Sequence, residues 1–362
     1  MTMHPNSPND KLKLSGIEAG RGIAAMMVVF YHAARHLKAD YGAMPWGGIA
    51  QFGHAGVDFF FVLSGFIIFF VHQQDLGRPS TLLSYFERRF TRIYPLFWFS
   101  LCVSLGLTAL SSTKQFPAFS EIVHQATLVP FLGDVGVAWT LQHEVLFYLL
   151  FAIAIVNRRA GAAIFGLWFC LIIGAWATGY APTDSAFVSR LASTFNLEFV
   201  FGMLAAYIVK RNVVTHPKFV LRAGIAFFAI AAAAENVGLF DGYGNIAKLI
   251  YGLSSMLIVI GTASANISGR LEAPKFLTRL GGGSYSIYLL HLPCIGIIYK
   301  LLAITGVLPA IPLSFLYLIL SASAVVICIV ISKIIEYPMM SAIRRAIRKR
   351  IRNQITPTPH RI

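Results

Sequence analysis

The sequence is short of charge. Of its 362 residues only 12% are Asp, Glu, Lys or Arg, about half the share an ordinary soluble domain carries. Acidic groups are the scarcer sign, 15 against 30 basic ones. With 57% of the residues hydrophobic, a soluble fold of this length would lack the polar surface to cover itself. Cysteine is also rare. Cys102, Cys170, Cys294 and Cys328 all fall inside apolar runs, and none forms a CxxC pair. They read as small buried hydrophobes, so neither a disulfide framework nor a metal site is implied. No Walker A, GxSxG, HExxH or Rossmann pattern stands out. There is no low-complexity linker, and no internal repeat is evident.

What the sequence has is apolar blocks long enough to cross a membrane. About 20 residues span the hydrocarbon layer as a helix. Such blocks lie near 18–38, 55–72, 93–112, 137–156, 162–180, 191–209, 219–236, 245–267, 282–303 and 311–334. The expected fold is therefore all-α, a polytopic bundle of about ten transmembrane helices. The block at 219–236 is the weakest, with Arg222 and Glu235 near its ends, and 121–133 is too short and polar to cross.

The net charge of +15 would suggest nucleic acid in a soluble protein. In a membrane chain it fits basic cytoplasmic loops, and no nucleic-acid partner is expected. With the N-terminus inside, the inner segments take Lys11 and Lys13, then Arg78, Arg88, Arg89 and Arg92, then Arg158 and Arg159. Lys210, Arg211, Lys218 and Arg222 follow, then Arg270, Lys275 and Arg279, and finally the tail from Arg344 to Arg352. The outer segments keep only Arg35, Lys38, Lys114 and Arg190, with Lys248 and Lys300 near outer span ends. Both termini are thus expected in the cytoplasm. The division is a cytoplasmic segment 1–14, a transmembrane domain 15–340 and a basic tail 341–362 lying on anionic headgroups. The first span carries Arg21 and His32 and lacks a clean cleavage site, so it is expected to remain as a span rather than be removed as a signal peptide.

Ionisable groups inside a membrane cost about 2.5 to 3.5 kcal/mol each and mark candidate sites. Arg21 and His32 share one face of the first span, separated along it by roughly 16 Å. Arg21 falls near the cytoplasmic surface and His32 in the outer half. Glu144, in WTLQHEVLFY, enters to roughly the depth of His32 by the same helical rise, so it is the expected partner that makes His32 a general base. Asp58, in GHAGVDFFFVLSGF, and Glu198 in the sixth span also fall in the outer half. At the cytoplasmic side Arg88, Arg89 and Arg92 precede the third span and, with Arg21, suit a phosphorylated ligand. The ninth span opens GGGSYSIYLLH, and its Ser284 and Tyr285 can approach the same ligand, with His291 near mid-membrane.

Taken in order, GIEAGRGIAAMMVVFYHA, GVDFFFVLSGFIIF, RRFTRIYPLFW, WTLQHEVLFY, GGSYSIYLLH and the closing EYP at 336–338 resemble the acyltransferase-3 family of integral membrane acyltransferases. The resemblance covers essentially the whole chain. The opening IEAGRGIAA is similar to the short exopolysaccharide-production acetyltransferases of that family.

The resemblance implies an O-acyltransferase of the bacterial inner membrane. Its donor would be cytoplasmic acyl-CoA, most often acetyl-CoA, with no metal. The acceptor would be a sugar hydroxyl of an exopolysaccharide, lipopolysaccharide or lipid-linked glycan. Arg21 and His32 would be the family's functional pair, and Arg88, Arg89 and Arg92 its basic motif. Some members carry a fused extracytoplasmic domain, for which this sequence has no room. The expected roles are catalysis by His32, Glu144 and Arg21, and donor binding by Arg21, Arg88, Arg89, Arg92, Ser284 and Tyr285. Acceptor binding falls to Asp58, His143 and Glu198. His143 beside Glu144 leaves open which of the two faces the site. Two rivals remain: a transporter or flippase for a lipid-linked sugar or organic anion, and a scaffold in polysaccharide assembly.

Overall fold

Long runs of Leu, Ile, Val, Phe and Ala with few breakers can satisfy their backbone in lipid only as helices, and helices are what they form. The computed structural model describes residues 14–112, 115–129, 136–180 and 185–355. Lys11, Lys13 and Lys114, most of the segment 1–14 and the end of the tail lie outside the described residues. Among those residues the regular elements are all helical. They are α1 (Ser15–Tyr41), α2 (Gly56–His72), α3 (Leu82–Ala109), α4 (Phe119–Thr127), α5 (Trp139–Val156), α6 (Arg158–Ala177) and α7 (Ala186–Leu191). There follow α8 (Phe195–Arg211), α9 (Pro217–Asn236), α10 (Asn245–Ile267), α11 (Lys275–Gly282), α12 (Ser284–Ile304), α13 (Leu313–Ile331) and α14 (Tyr337–Ile355).

Among the described residues nine helical stretches are long and apolar enough to cross a membrane. The protein is a multi-pass membrane protein. The 27-residue α1 has the length but not the apolarity. It is instead the helix the others surround, packing on α2, α10, α11, α12 and α13, and with it the ten expected helices are present. The amphipathic α4, nine residues long, does not cross. Its last carbonyls, which have no partner within a helix, accept from Trp98 Nε1 at 2.8 Å and Tyr94 Oη at 3.1 Å.

Two boundaries differ from expectation. The third helix begins at Leu82, so Arg88, Arg89 and Arg92 sit within α3 rather than in a loop before it. Hydropathy could not reveal that, because a helical turn facing a polar cavity has the composition of a loop. The tail is the second case. α13 passes through a π-helical turn, Ser332–Glu336, directly into α14.

Two close backbone approaches set the bundle. A Cβ on Gly65 of α2 would lie 2.1 Å from the Phe199 carbonyl oxygen of α8, and one on Gly281 of α11 would lie 1.8 Å from that of Glu18 in α1. Small residues let helices meet this closely where lipid supplies no hydrophobic drive. Gly281 therefore serves packing, at the point where α1 presents Arg21.

Candidate active site

A cavity of about 870 Å³ lies between α1, α2, α3, α5, α12 and α14. Its wall carries Arg21, Arg88, Arg89, Arg92 and Arg344 at one end. Ser64, Glu144 and Tyr148 line it further along, and Thr140, Phe60 and Tyr288 lie beyond them. The arginines are held by aromatic faces and by one fixed carboxylate. Arg89 lies over the Tyr148 ring at 5.6 Å and Arg92 over Tyr285 at 4.9 Å, contacts that favour a partly desolvated guanidinium. Arg92 also pairs with Glu336 at 3.6 Å. The π-helical turn places Ser332 so that its hydroxyl and that of Ser286 both donate to Glu336 Oε2, at 2.8 and 2.7 Å. That is the structural role of the closing EYP.

Two polar atoms in this wall are left over. Arg89 Nε and Ser284 Oγ are buried and have no hydrogen-bond partner among the described residues. A buried donor without a partner costs about 1–3 kcal/mol. Both belong to residues lining the cavity, although the two atoms themselves are closed off from it.

His32 stands beyond the far end. Tyr288 of the cavity wall has its ring 6.3 Å from that of His291, one turn further along α12. His291 Nε2 is 3.1 Å from His32 Nδ1. The tautomers follow from the partners. His291 Nδ1 faces the carbonyls of Tyr288 at 2.8 Å and Ile287 at 3.1 Å, so it must donate, and Nε2 then accepts. His32 Nδ1 also faces the Val28 carbonyl at 2.9 Å, so it donates to both neighbours. His32 Nε2 keeps its lone pair and has no hydrogen-bond partner among the described residues. An imidazole fixed this way offers Nε2 as a proton acceptor.

The expected partnership of His32 with Glu144 is not formed. Glu144 accepts from Ser64 Oγ at 2.9 Å and, very closely, from the Tyr148 hydroxyl, on the arginine side of Tyr288. Equal depth along two helices did not guarantee facing sides. The choice between His143 and Glu144 is settled for the cavity: Glu144 lines it, while His143 is buried against Asn196 Oδ1 at 2.9 Å. Asp58 and Glu198 are 2% and 0% exposed and interact with each other and with Lys248. Neither they nor His143 lines this cavity.

Comparison with known proteins gives the family. A family model described as an acyltransferase domain matches residues 14–333, nearly the whole described chain. The chain belongs to the acyltransferase-3 family. It is similar to the exopolysaccharide production protein ExoZ of Rhizobium meliloti (strain 1021), 31% identical over 269 residues, covering 68% of this chain and 78% of that protein. It is also similar to a putative acetyltransferase, ORF330, of Acidianus two-tailed virus, 25% identical over 312 residues, covering 82% and 86%. The O-acetyltransferase OatA of Staphylococcus aureus (strain NCTC 8325 / PS 47) is 24% identical over 324 residues, and the match spans 50% of its length. No solved structure matches.

Within this acyltransferase-3 fold the structure adds residues that sequence reasoning did not assign a part: Ser64 and Tyr148 in the wall, Glu336 beneath Arg92, and His291 against His32. A second polar cluster lies on the other side of α1. Glu235 bonds His54 Nε2 at 2.9 Å and accepts from Tyr251 at 2.6 Å, while Tyr243 stacks on His54 and its hydroxyl meets that of Tyr31. Only the cost of a buried Glu235 hinted at it in the sequence.

Proposed function

We propose that this acyltransferase moves an acyl group, acetyl in the first instance, from acyl-CoA to a sugar hydroxyl of an exopolysaccharide, lipopolysaccharide or lipid-linked glycan. The observation that carries this reading is one cavity that gathers Arg21, Arg88, Arg89, Arg92 and Arg344 in its wall and has Tyr288 at its far end, from which ring contacts run through His291 to His32. The arginine end suits the donor's phosphates, since guanidinium forks match phosphate oxygens. The pantetheine arm then lies past Glu144 and Tyr148, and the thioester comes to Tyr288. His32 Nε2 takes the proton of the acceptor hydroxyl as its oxygen forms a bond to the thioester carbonyl carbon. The carbon–sulfur bond breaks, and the coenzyme thiolate leaves and recovers the proton from His32. His291 holds the imidazole in the required tautomer. The arginine end is the cytoplasmic one, in a bacterial inner membrane.

The relatives support the chemistry by their names, ExoZ being an exopolysaccharide production protein and OatA an O-acetyltransferase. Binding tests it directly. Acetyl-CoA should raise the thermal midpoint of the purified protein, and Arg89→Ala should remove most of that rise while unfolding normally without ligand. Equal stabilisation of both proteins by acetyl-CoA would show that the arginine end does not hold the donor.

A further inference from the structure

Arg344 and Arg345 of the basic tail helix are exposed, yet both border a cavity. Arg344 of α14 lines the main cavity, and it also lines a second, smaller one of about 320 Å³. Arg92, Gly282, Glu336, Ser341 and Arg345 form most of the rest of that second wall. The two cavities therefore adjoin, with Arg92 and Arg344 common to both.

The small cavity carries three arginines against one carboxylate. Glu336 is already engaged through Oε2 by Ser286 and Ser332, and its charge is opposed by Arg92. Arg345 donates to Ser341 Oγ at 3.1 Å. Neither Arg344 nor Arg345 pairs with a carboxylate among the described residues. The small cavity is thus left with unbalanced positive charge and a hydroxyl, next to the arginines of the large one. Its floor is kept open at Gly282, where a Cβ would lie 2.5 Å from the Tyr337 hydroxyl.

We propose that this small cavity is a phosphate-monoester subsite, with Arg344 its principal ligand and Arg345 its second. The inference rests on the acyl-CoA reading above. An acyl-CoA carries phosphate in two places: a diphosphate joining pantetheine to the ribose, and a separate monoester on the ribose 3′ oxygen. Two adjoining basic cavities with shared arginines match a ligand of that form, the diphosphate at Arg88 and Arg89 and the monoester at Arg344. A tail helix serving only to bind headgroups would have no need to place Arg344 in the wall of an interhelical cavity. Headgroup phosphates nevertheless share the monoester's chemistry, so the test has to separate the two sources.

The measurement is the affinity of acetyl-CoA and of acetyl-3′-dephospho-CoA for the full chain, in nanodiscs of phosphatidylcholine alone and with phosphatidylglycerol added. The parent should bind acetyl-CoA about tenfold or more tightly than the dephospho compound, in both lipids. Arg344→Ala should abolish that preference, weakening binding of acetyl-CoA much more than binding of the dephospho compound. Arg345→Ala should reduce it. If the parent binds both compounds equally well, the subsite is wrong and the donor reading stands. An Arg344→Ala protein weakened equally toward both would reduce Arg344 to general attraction and overturn the assignment. Loss of the parent's preference on adding phosphatidylglycerol would give the cavity to lipid. Binding of neither compound would remove the donor reading and the subsite together.

Discussion

His32 can act only if its proton sits on Nδ1, and two acceptors, Val28 O and His291 Nε2, hold it there. The two histidines therefore predict different kinetics. His32→Ala removes the base and should reduce transfer about 100- to 10,000-fold, with the protein still folded and still binding acetyl-CoA. His291→Ala removes one of the two bonds, worth about 1–2 kcal/mol, so kcat should fall about 5- to 30-fold. The KM for the donor should be little changed, because His291 lies beyond the donor cavity. An His291→Ala enzyme with parental kcat, or one altered only in donor KM, would separate His291 from the imidazole. The sequence singled out Arg21 and His32 by the cost of ionisable groups in a span and Arg88, Arg89 and Arg92 by their clustering, and the structure places the four arginines in one cavity wall. The His32–His291 contact was not legible in the sequence. It joins residues 259 positions apart, and hydropathy does not say which helix faces meet. The same blindness produced the mistaken pairing of His32 with Glu144.

Among the elements, α1 and α11 show how packing positions chemistry. Gly281 lies against the Glu18 backbone, one turn before Arg21, and a methyl group there has no room. Gly281→Ala should destabilise the purified protein by about 1–3 kcal/mol through overpacking. It should also weaken donor binding, since α1 must shift. Gly166→Ala in α6 is the matched control: nothing lies within 4 Å of its Cβ position, and it should be neutral or slightly stabilising. Equal thermal midpoints for the two variants would contradict the packing account. The ten long helices were readable from the apolar blocks, whereas the short α4, α7 and α11 were not. Boundaries failed where polar turns remain helical, at the start of α3 and at the passage from α13 into α14. There the arginines face a cavity instead of water, and composition cannot distinguish those surroundings.

For the whole molecule the account requires two chemically different ends. The arginine end, with α14, belongs in the cytoplasm, where acyl-CoA is made. The loop between α9 and α10, whose Tyr243 reaches Tyr31 beside His32, then belongs outside. The exposed cysteines Cys102 and Cys170 are first replaced by Ser. In that background Leu239→Cys should react with a membrane-impermeant maleimide on intact cells, and Glu272→Cys should react only after permeabilisation. The reverse pattern would invert the orientation and with it the direction of acyl movement. The alternation of basic loops is what favours this orientation in the sequence. The acceptor was not readable, because the candidate acceptor residues Asp58, His143 and Glu198 are closed into the bundle.

The central claim is that the acyl group reaches a glycan by way of His32. It is tested most directly by the mass of surface glycans from cells carrying the parent gene, the deletion, and His32→Ala. Parent glycans should carry an acyl increment that both the deletion and the His32→Ala cells lack, with the variant present in the membrane at the parental level. Glycans of parental mass from His32→Ala cells would contradict the account.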